Sequence, residues 1–321
     1  MTEYRLPRLG KFRILLTQRC NLDCLYCHKE GQFSKRNENM TTEEFQKLTK
    51  IAYSFGLDEV KYSGGEPLLY DSLPELIGSS KGLGVPRVSV TTNGILLEER
   101  LDQLEQAGLD ELSISLDTLD KETFEKLNRG SREDFERTFR GIEKAKDYPF
   151  NMNLNMSLTK YNYHEVGNMI EYAKGLGVPL RLISFIPLGA KHKREISTDA
   201  STIFGDLFSS AESVHRDESA PAYTQLKLKD GAEICLVDSS CFDCKLCGKS
   251  YALRLTTDGK LKPCLISEKG EIDVLTPLRE GDIYEVKNRF AEAVIIKRRG
   301  LMKNFDIPIR DLSGEFLIEE P

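Results

Sequence analysis

The segment Phe12-Arg-Ile-Leu-Leu-Thr-Gln-Arg-Cys20-Asn-Leu-Asp-Cys24-Leu-Tyr-Cys27 joins an apolar, β-rich run to three cysteines spaced CxxxCxxC. Residues 12–17 have the length and composition of a strand, and the cysteines fall just beyond its carboxyl end. In parallel α/β folds, chemistry is carried by loops at that end of the strands. Three thiolates this close in sequence can hold three irons of a [4Fe–4S] cube and leave the fourth iron without a protein ligand. Zinc is the competing ion, although a structural zinc site asks for four ligands. His28 adjoins Cys27 and is badly placed to converge with it on one tetrahedral ion. The spacing alone favours the open cluster and leaves zinc as the alternative.

Further along the chain, short β-rich runs alternate with amphipathic ones. FRILLT (12–17), EVKYS (59–63), RVSVTT (87–92), ELSISL (111–116), NMNLNMSL (151–158) and PLRLISFIP (179–187) read as strands. Helices are expected from Thr41 or Thr42 to Gly56 and near 73–81, 97–107, 121–146 and 164–175. Glu44 would complete a capping box if Thr41 is the N-cap, and Gly56, Gly108 and Gly175 supply helix stops. Six strands, each followed by a helix, predict right-handed βαβ units and a parallel sheet that can curl into an incomplete (β/α)6 barrel. This α/β partial barrel is expected over residues 10–190. From 191 to 321 the rhythm is lost: one helix (199–214), a polar stretch and a cysteine-rich section read as an extension packed on the barrel mouth.

Composition narrows the class of function. The 321 residues are 40% hydrophobic and 30% charged, as expected of a folded domain with a core, and 51 acidic against 45 basic residues give a formal charge of −6. That sign disfavours nucleic acid and anionic membranes as partners. No apolar run approaches the roughly 18–20 residues of a membrane helix. The start, MTEYRLPRLGKFRILL, lacks a signal-peptide core, so a cytoplasmic location is expected. The eight cysteines form two groups: Cys20, Cys24 and Cys27 near the start, then Cys235, Cys241, Cys244, Cys247 and Cys264 in the last third. Two separate metal sites account for that distribution better than scattered core thiols.

CxxxCxxC after the first strand, with Tyr26 before the last cysteine, resembles the signature of radical S-adenosylmethionine (SAM) enzymes. The order of later motifs strengthens the likeness. Ser63-Gly64-Gly65-Glu66-Pro67 follows the second strand, Thr91-Thr92-Asn93-Gly94 closes the third and Ser115-Leu116-Asp117 the fourth. Each alone could be an ordinary turn or cap; in this order they match the family's SAM-contacting strand ends. The resemblance implies a (β/α)6 partial barrel with a [4Fe–4S] cluster on Cys20, Cys24 and Cys27. It also implies SAM held by Tyr26, Gly64, Gly65, Glu66, Thr92, Asn93 and Ser115, and cleavage of SAM to a radical that abstracts a substrate hydrogen.

The C-terminal run Leu253–Cys264 reads as a β-hairpin turning at Asp258-Gly259. With Cys244-x₂-Cys247 before it, the segment resembles the auxiliary-cluster region of the GTP 3′,8-cyclase family, which opens molybdenum-cofactor (molybdopterin) biosynthesis. His28–Gly31 after Cys27 is similar to its archaeal members. This likeness implies a lyase- or cyclase-type enzyme with a second [4Fe–4S] cluster on Cys244, Cys247 and Cys264, and GTP-contacting cations at Arg13, Lys61, Arg181 and Arg254. A small-molecule substrate and a reducing donor such as ferredoxin or flavodoxin follow from it. Cys235 and Cys241 are further ligand candidates. Glu59 and Asn153 stand where the family presents lysine, Ala252 replaces one arginine of a pair, and Ser250 falls where a hairpin cysteine is expected. The alternative is therefore a paralogue of the same two-cluster architecture acting on a peptide or another small metabolite. No general acid or base stands out: His164 and His192 have no spacing that points to catalysis.

Overall fold

The computed structural model describes residues 8–32, 35, 37, 40–185, 195–216, 222–238, 252–265 and 270–299. Six strands run in parallel with neighbouring registers: β1 (Lys11–Leu15), β2 (Glu59–Ser63), β3 (Arg87–Thr92), β4 (Glu111–Ser115), β5 (Asn151–Ser157) and β6 (Leu180–Ile183). Between them lie helices α1 (Thr42–Tyr53), α2 (Leu73–Gly82), α3 (Leu97–Gln106), α4 (Lys121–Leu127), α5 (Arg132–Ala145) and α6 (Val166–Leu176). This is the expected six-unit partial barrel, and the sheet stays open at both edges.

The division of side chains between the two faces follows the period of two along each strand. Phe12, Ile14, Val60, Tyr62, Val88, Val90, Leu112, Ile114, Leu154, Met156, Leu180 and Leu182 are at most 1% exposed and belong to one continuous apolar core. Their alternates Arg13, Lys61, Ser89, Ser113, Asn153 and Arg181 are polar and share the opposite, concave face. The capping box of α1 forms as read: Thr41 Oγ1 accepts from Glu44 N at 3.2 Å, and Glu44 Oε2 accepts from Thr41 N at 2.8 Å.

Three expectations need correction. The run 121–146 is two helices, broken at Asn128-Arg129-Gly130-Ser131, where Arg129 has φ 55° and Ser131 starts α5 with a capping box to Asp134. The break is packed against the cysteine loop, because a Cβ on Gly130 would lie 2.7 Å from Leu22 Cδ2. The helix α6 stops at Gly177 (φ 71°) instead of Gly175. The stretch 199–214 is helix α7 only over Ser201–Ser210, and strand β7 (Ala211–Arg216) follows at once. Ser209 and Ser210 turn their hydroxyls back onto the carbonyls of Gly205 and Asp206, and the chain then joins an antiparallel ladder.

That ladder adds β7, β8 (Tyr223–Leu228) and β9 (Glu233–Val237), with β9 parallel to β6. On the other edge β10 (Ala252–Leu255) runs parallel to β1, and β11 (Lys260–Lys262) folds back on it as the expected hairpin, with φ 76° at Gly259. Strand β12 (Ile272–Asp273) completes that edge and leads to helices α8 (Leu275–Arg279) and α9 (Ile283–Arg299). Phe290 of α9 sits between Phe12 and Phe55, with ring centroids 5.7 Å from each. Arg279 of α8 donates from Nε to Glu44 Oε1 at 2.7 Å, tying the last helices to the first. No helix is long and apolar enough to cross a membrane among the described residues.

Removing a fully buried ring at this junction leaves a cavity that the rigid sheet cannot close. Phe290→Ala is expected to destabilise the chain by about 3–5 kcal/mol, measured as a shift of the denaturant midpoint at unchanged slope. A change below 1 kcal/mol, on the order of a surface substitution, would mean that α9 is not part of the core.

Candidate active site

The loop from Cys20 to Cys27 leaves β1 at its carboxyl end and is held by main-chain bonds before any side chain acts. Cys27 N–H donates to Cys24 O at 3.1 Å, and Leu25 N–H donates to Leu127 O at 2.8 Å, which ties the loop to the break after α4. Each thiol lies within reach of an N–H. Leu22 N donates to Cys20 Sγ at 3.4 Å, Lys29 N to Cys27 Sγ at 3.3 Å, and Asn128 Nδ2 approaches Cys24 Sγ at 3.5 Å. Burial pushes the Cys20 thiol up to about 11 and raises Cys24 as well, with Asp117 and Cys27 adding to the rise at Cys24. Desolvated thiols beside carboxylates suit a site whose positive charge comes from metal, which binds them as thiolates. Among the described residues, no three His, Cys, Asp or Glu side chains gather around one point as a single ion requires. A cubane asks for wider spacing, since each thiolate takes its own iron. The three thiols and their N–H donors fit such a cluster.

Gly64 and Gly65 let the end of β2 lie directly against this loop. Gly64 has φ 141°, and a Cβ on it would come 2.6 Å from Thr17 O; on Gly65 it would come 2.0 Å from Arg19 O. Gly65 N–H donates to Thr17 O at 2.6 Å and Glu66 N–H to Arg19 O at 2.8 Å. Glu66 is 1% exposed, and its carboxylate accepts from Thr92 Oγ1 (2.7 Å), Asn93 N (2.8 Å) and Leu68 N (3.0 Å). Burial outweighs these neutral donors and lifts the carboxyl to about 7. A carboxylate buried among neutral donors is a favourable partner for an ammonium group. Asn93 also donates from Nδ2 to Asn21 Oδ1 at 2.7 Å and faces Cys20 Sγ at 3.8 Å. Glu66, Thr92 and Asn93 thus form one hydrogen-bonded unit next to the cysteines.

Tyr26 points its hydroxyl at Asp117, which is buried and also accepts from Asn128 Nδ2 at 2.8 Å and Ser157 N at 2.9 Å. Burial raises both Tyr26 and Asp117, so the pair holds the phenol in its donor form. Asn128 is a member of the site that the sequence leaves unmarked, and Asp117 stands in the quoted Ser115-Leu116-Asp117 run without a role assigned to it. Ser115, the residue of that run chosen from the sequence, lies in register with Asn155 on the concave face. A signal for Asp117 existed in its place directly past a strand, whereas nothing local marks Asn128, which arrives from the end of α4.

Below this level the concave face turns cationic. Arg13 stands in register between Lys61 and Arg254, and Lys61 feels both Arg13 and Arg181. The four predicted cations therefore converge. Each has a carboxylate beside it. Glu30 bridges Arg13 (2.9 and 3.1 Å) and Arg254 (3.6 Å), while Glu111 receives Arg181 (3.0 Å), Lys61 (3.8 Å) and Asn153 Nδ2 (3.1 Å). Glu59 lies at the amino end of β2, paired with Arg87 at 2.8 Å and within 3.6 Å of Lys11. Burial pushes Glu59 up, and Lys61, Lys11 and Arg87 together overcome it and hold it at about 2. Burial and the neighbouring Arg13 bring Lys61 down to about 8, against Glu59 and Glu111.

Of the second cysteine group, Cys241, Cys244 and Cys247 lie outside the described residues, as do Ser250 and His192. Cys264 follows β11, and Leu265 O would lie 2.0 Å from a Cβ on Gly31, so the hairpin end touches the turn after Cys27. Cys235 is buried in register with Arg181. His164 is exposed and stacks edge-on to Tyr163.

The Radical SAM superfamily profile matches residues 14–173. A protein of Methanocaldococcus jannaschii named "Probable GTP 3′,8-cyclase" is 38% identical over 284 residues, covering 86% of this chain and 92% of its own. One of Methanococcus aeolicus with the same name is 36% identical over 281 residues, covering 85% and 91%. Among solved structures, Streptococcus suis SuiB bound to S-adenosylmethionine aligns with a TM-score of 0.64 at 16% identity, over 88% of this chain and 65% of that one. The structure of anSMEcpe with bound AdoMet aligns with 0.62 at 18% identity, over 90% and 83%. These two likenesses concern the fold.

Gly65→Ala is expected to abolish iron binding by the first loop, because the added carbon meets a backbone oxygen; iron content after anaerobic reconstitution reports it. Glu66→Gln should keep the iron and weaken SAM binding by about tenfold or more, the worth of a charge-assisted bond. Calorimetry showing unchanged SAM affinity would remove Glu66 from that role.

Proposed function

The chain belongs to the radical SAM superfamily, and within it we propose a GTP 3′,8-cyclase-like enzyme that forms a cyclised nucleotide for molybdopterin synthesis. The observation that carries this reading is the convergence of Arg13, Lys61, Arg181 and Arg254 on the concave face below the cysteine loop. Guanidinium and ammonium groups pair with phosphate oxygens, and a nucleoside triphosphate supplies several. The archaeal relatives named probable GTP 3′,8-cyclase, similar over nearly their whole length, support the same choice.

When bound, the [4Fe–4S] cluster and SAM supply a carbon radical able to abstract hydrogen from an unactivated C–H bond. The chain's own residues bind, orient and exclude. Glu66 with Thr92 and Asn93 would present a carboxylate to the ammonium of SAM, and Asp117 fixes Tyr26 within the cysteine loop beside that site. The cations hold the triphosphate so that the ribose carbon to be attacked faces the strand ends. In this reading, residues 191–321 form the extension, where Cys264 with Cys244 and Cys247 would hold a second cluster near the base of the nucleotide. Such clusters need a low-potential donor of the ferredoxin or flavodoxin kind and a reducing compartment, which fits the cytoplasm.

Reduced, reconstituted protein given SAM and GTP is expected to release 5′-deoxyadenosine in step with loss of GTP and appearance of a cyclised nucleotide. Cys24→Ala should abolish SAM cleavage. Cleavage that GTP neither accelerates nor depends on, with GTP unconsumed, would point to another substrate. Iron content should reach about eight per chain if both cubes are present and about four if only the first is. Affinity for GTP should also depend on pH through Lys61. Its ammonium is charged below about 8, so affinity should fall as pH rises through that value. The fall is expected to be about tenfold, one charge-assisted contact. Lys61→Met should bind weakly throughout and lack this inflection.

A further inference from the structure

Glu30 lies three residues beyond Cys27, on the turn that follows the cysteine loop. Lys29 and Glu30 have φ 49° and 51°, and Gly31 follows at 75°. Three successive left-handed residues, two of them with side chains, are a conformation that the surroundings must impose. The turn is fixed at both ends. Upstream, Cys27 N–H donates to Cys24 O; downstream, Gly31 is pressed on Leu265 O, and Gln32 Oε1 accepts from Thr257 N at 3.1 Å.

What the strained turn achieves is the delivery of one carboxylate. Oε1 accepts from Arg13 Nη1 at 2.9 Å and from Ser63 Oγ at 3.0 Å, and Oε2 lies 3.1 Å from Arg13 Nη1 and 3.6 Å from Arg254 Nε. Arg13 and Arg254 are register partners on adjacent strands, so an anion between them offsets their mutual repulsion. The arrangement, two guanidinium groups and a hydroxyl around two oxygens, is one that a phosphate group satisfies equally well. The other chamber carboxylates, Glu59 and Glu111, are rooted in strands. Glu30 sits on a turn outside the strands, so its side chain can swing away without disturbing the sheet ladder.

We propose that Glu30 is a resident anion: its carboxylate holds the Arg13–Arg254 seat while the chamber is empty and yields it to an anionic group of the substrate. The inference rests on the reading of the chamber as a triphosphate site and adds a gate to it. Binding then exchanges one anion for another, so an isolated Coulombic attraction does not set affinity. A substrate too short to reach the seat leaves Glu30 in place.

The test is equilibrium binding of GTP and of inorganic tripolyphosphate to the cluster-loaded full chain, compared with Glu30→Gln and Glu30→Asp. Removing the competing carboxylate should tighten tripolyphosphate binding by about tenfold or more. The Asp variant, charged but too short to reach, should shift the same way. Weaker binding by Glu30→Gln would show that the carboxylate is a fixed support, overturning the gate while leaving the GTP reading intact. Tightening in Gln with none in Asp would reduce the effect to net charge and also overturn it. If tripolyphosphate tightens but GTP binds neither protein, the seat stands and the guanosine assignment falls. Hydrogen exchange on the unmutated protein gives an independent check. GTP should speed exchange at the amides of Lys29 and Gly31, which donate to Cys27 Sγ and His28 O, and slowed exchange there would contradict displacement.

Discussion

A charge removed from water has to be compensated where it stands, and this requirement orders the whole concave face. Arg13 and Arg254 share Glu30, Lys61 and Arg181 share Glu111, and Arg87 and Lys11 share Glu59. The carboxylates of this layer are therefore what allow four cations to stand close together before any ligand arrives. Higher up, next to the cysteines, the balance is left incomplete. Glu66 and Asp117 are buried with neutral donors only, and the thiols are desolvated. The named groups of the lower layer are thus only partly offset from within and leave it cationic, while the carboxylates of the upper layer have neutral donors among the described residues.

The barrel was legible because its strands and helices announce themselves in composition and period. Strands β2 and β3 fall on the expected residues, and the capping box at Thr41 forms as its spacing requires. The later strands were not legible. Residues 211–214 fall inside the expected helix, and pairing with β8 makes 211–216 extended, an interaction with no local signature. The break at 128–131 is similar: an amphipathic run of 26 residues hides it, and the contact of Gly130 with Leu22 reveals its purpose.

In the site, motifs confined to one strand end could be read directly, as with the cysteine loop and Gly64-Gly65-Glu66. Groups that reach the same place from elsewhere could not. Asn128 arrives from the end of a helix about a hundred residues after Cys24, and Glu30 arrives by a backbone conformation that side-chain identity does not encode. Glu59 was read as a foreign charge among cations. Its position at the amino end of β2 makes it an anchor for Arg87 as much as a chamber residue.

The alternation of faces along β1 to β6 bears on how such an enzyme diverges. Each position that touches the chamber is flanked along its strand by positions that hold the core, so the two sets lie on opposite faces of the sheet. A lysine on the concave side can be exchanged without touching the apolar side, but its carboxylate partner, such as Glu111 beside Lys61, then loses one of its cations. A new charge pattern on that face is therefore reached by changing both members of an ion pair together, because each cation of the chamber shares its carboxylate with a neighbour.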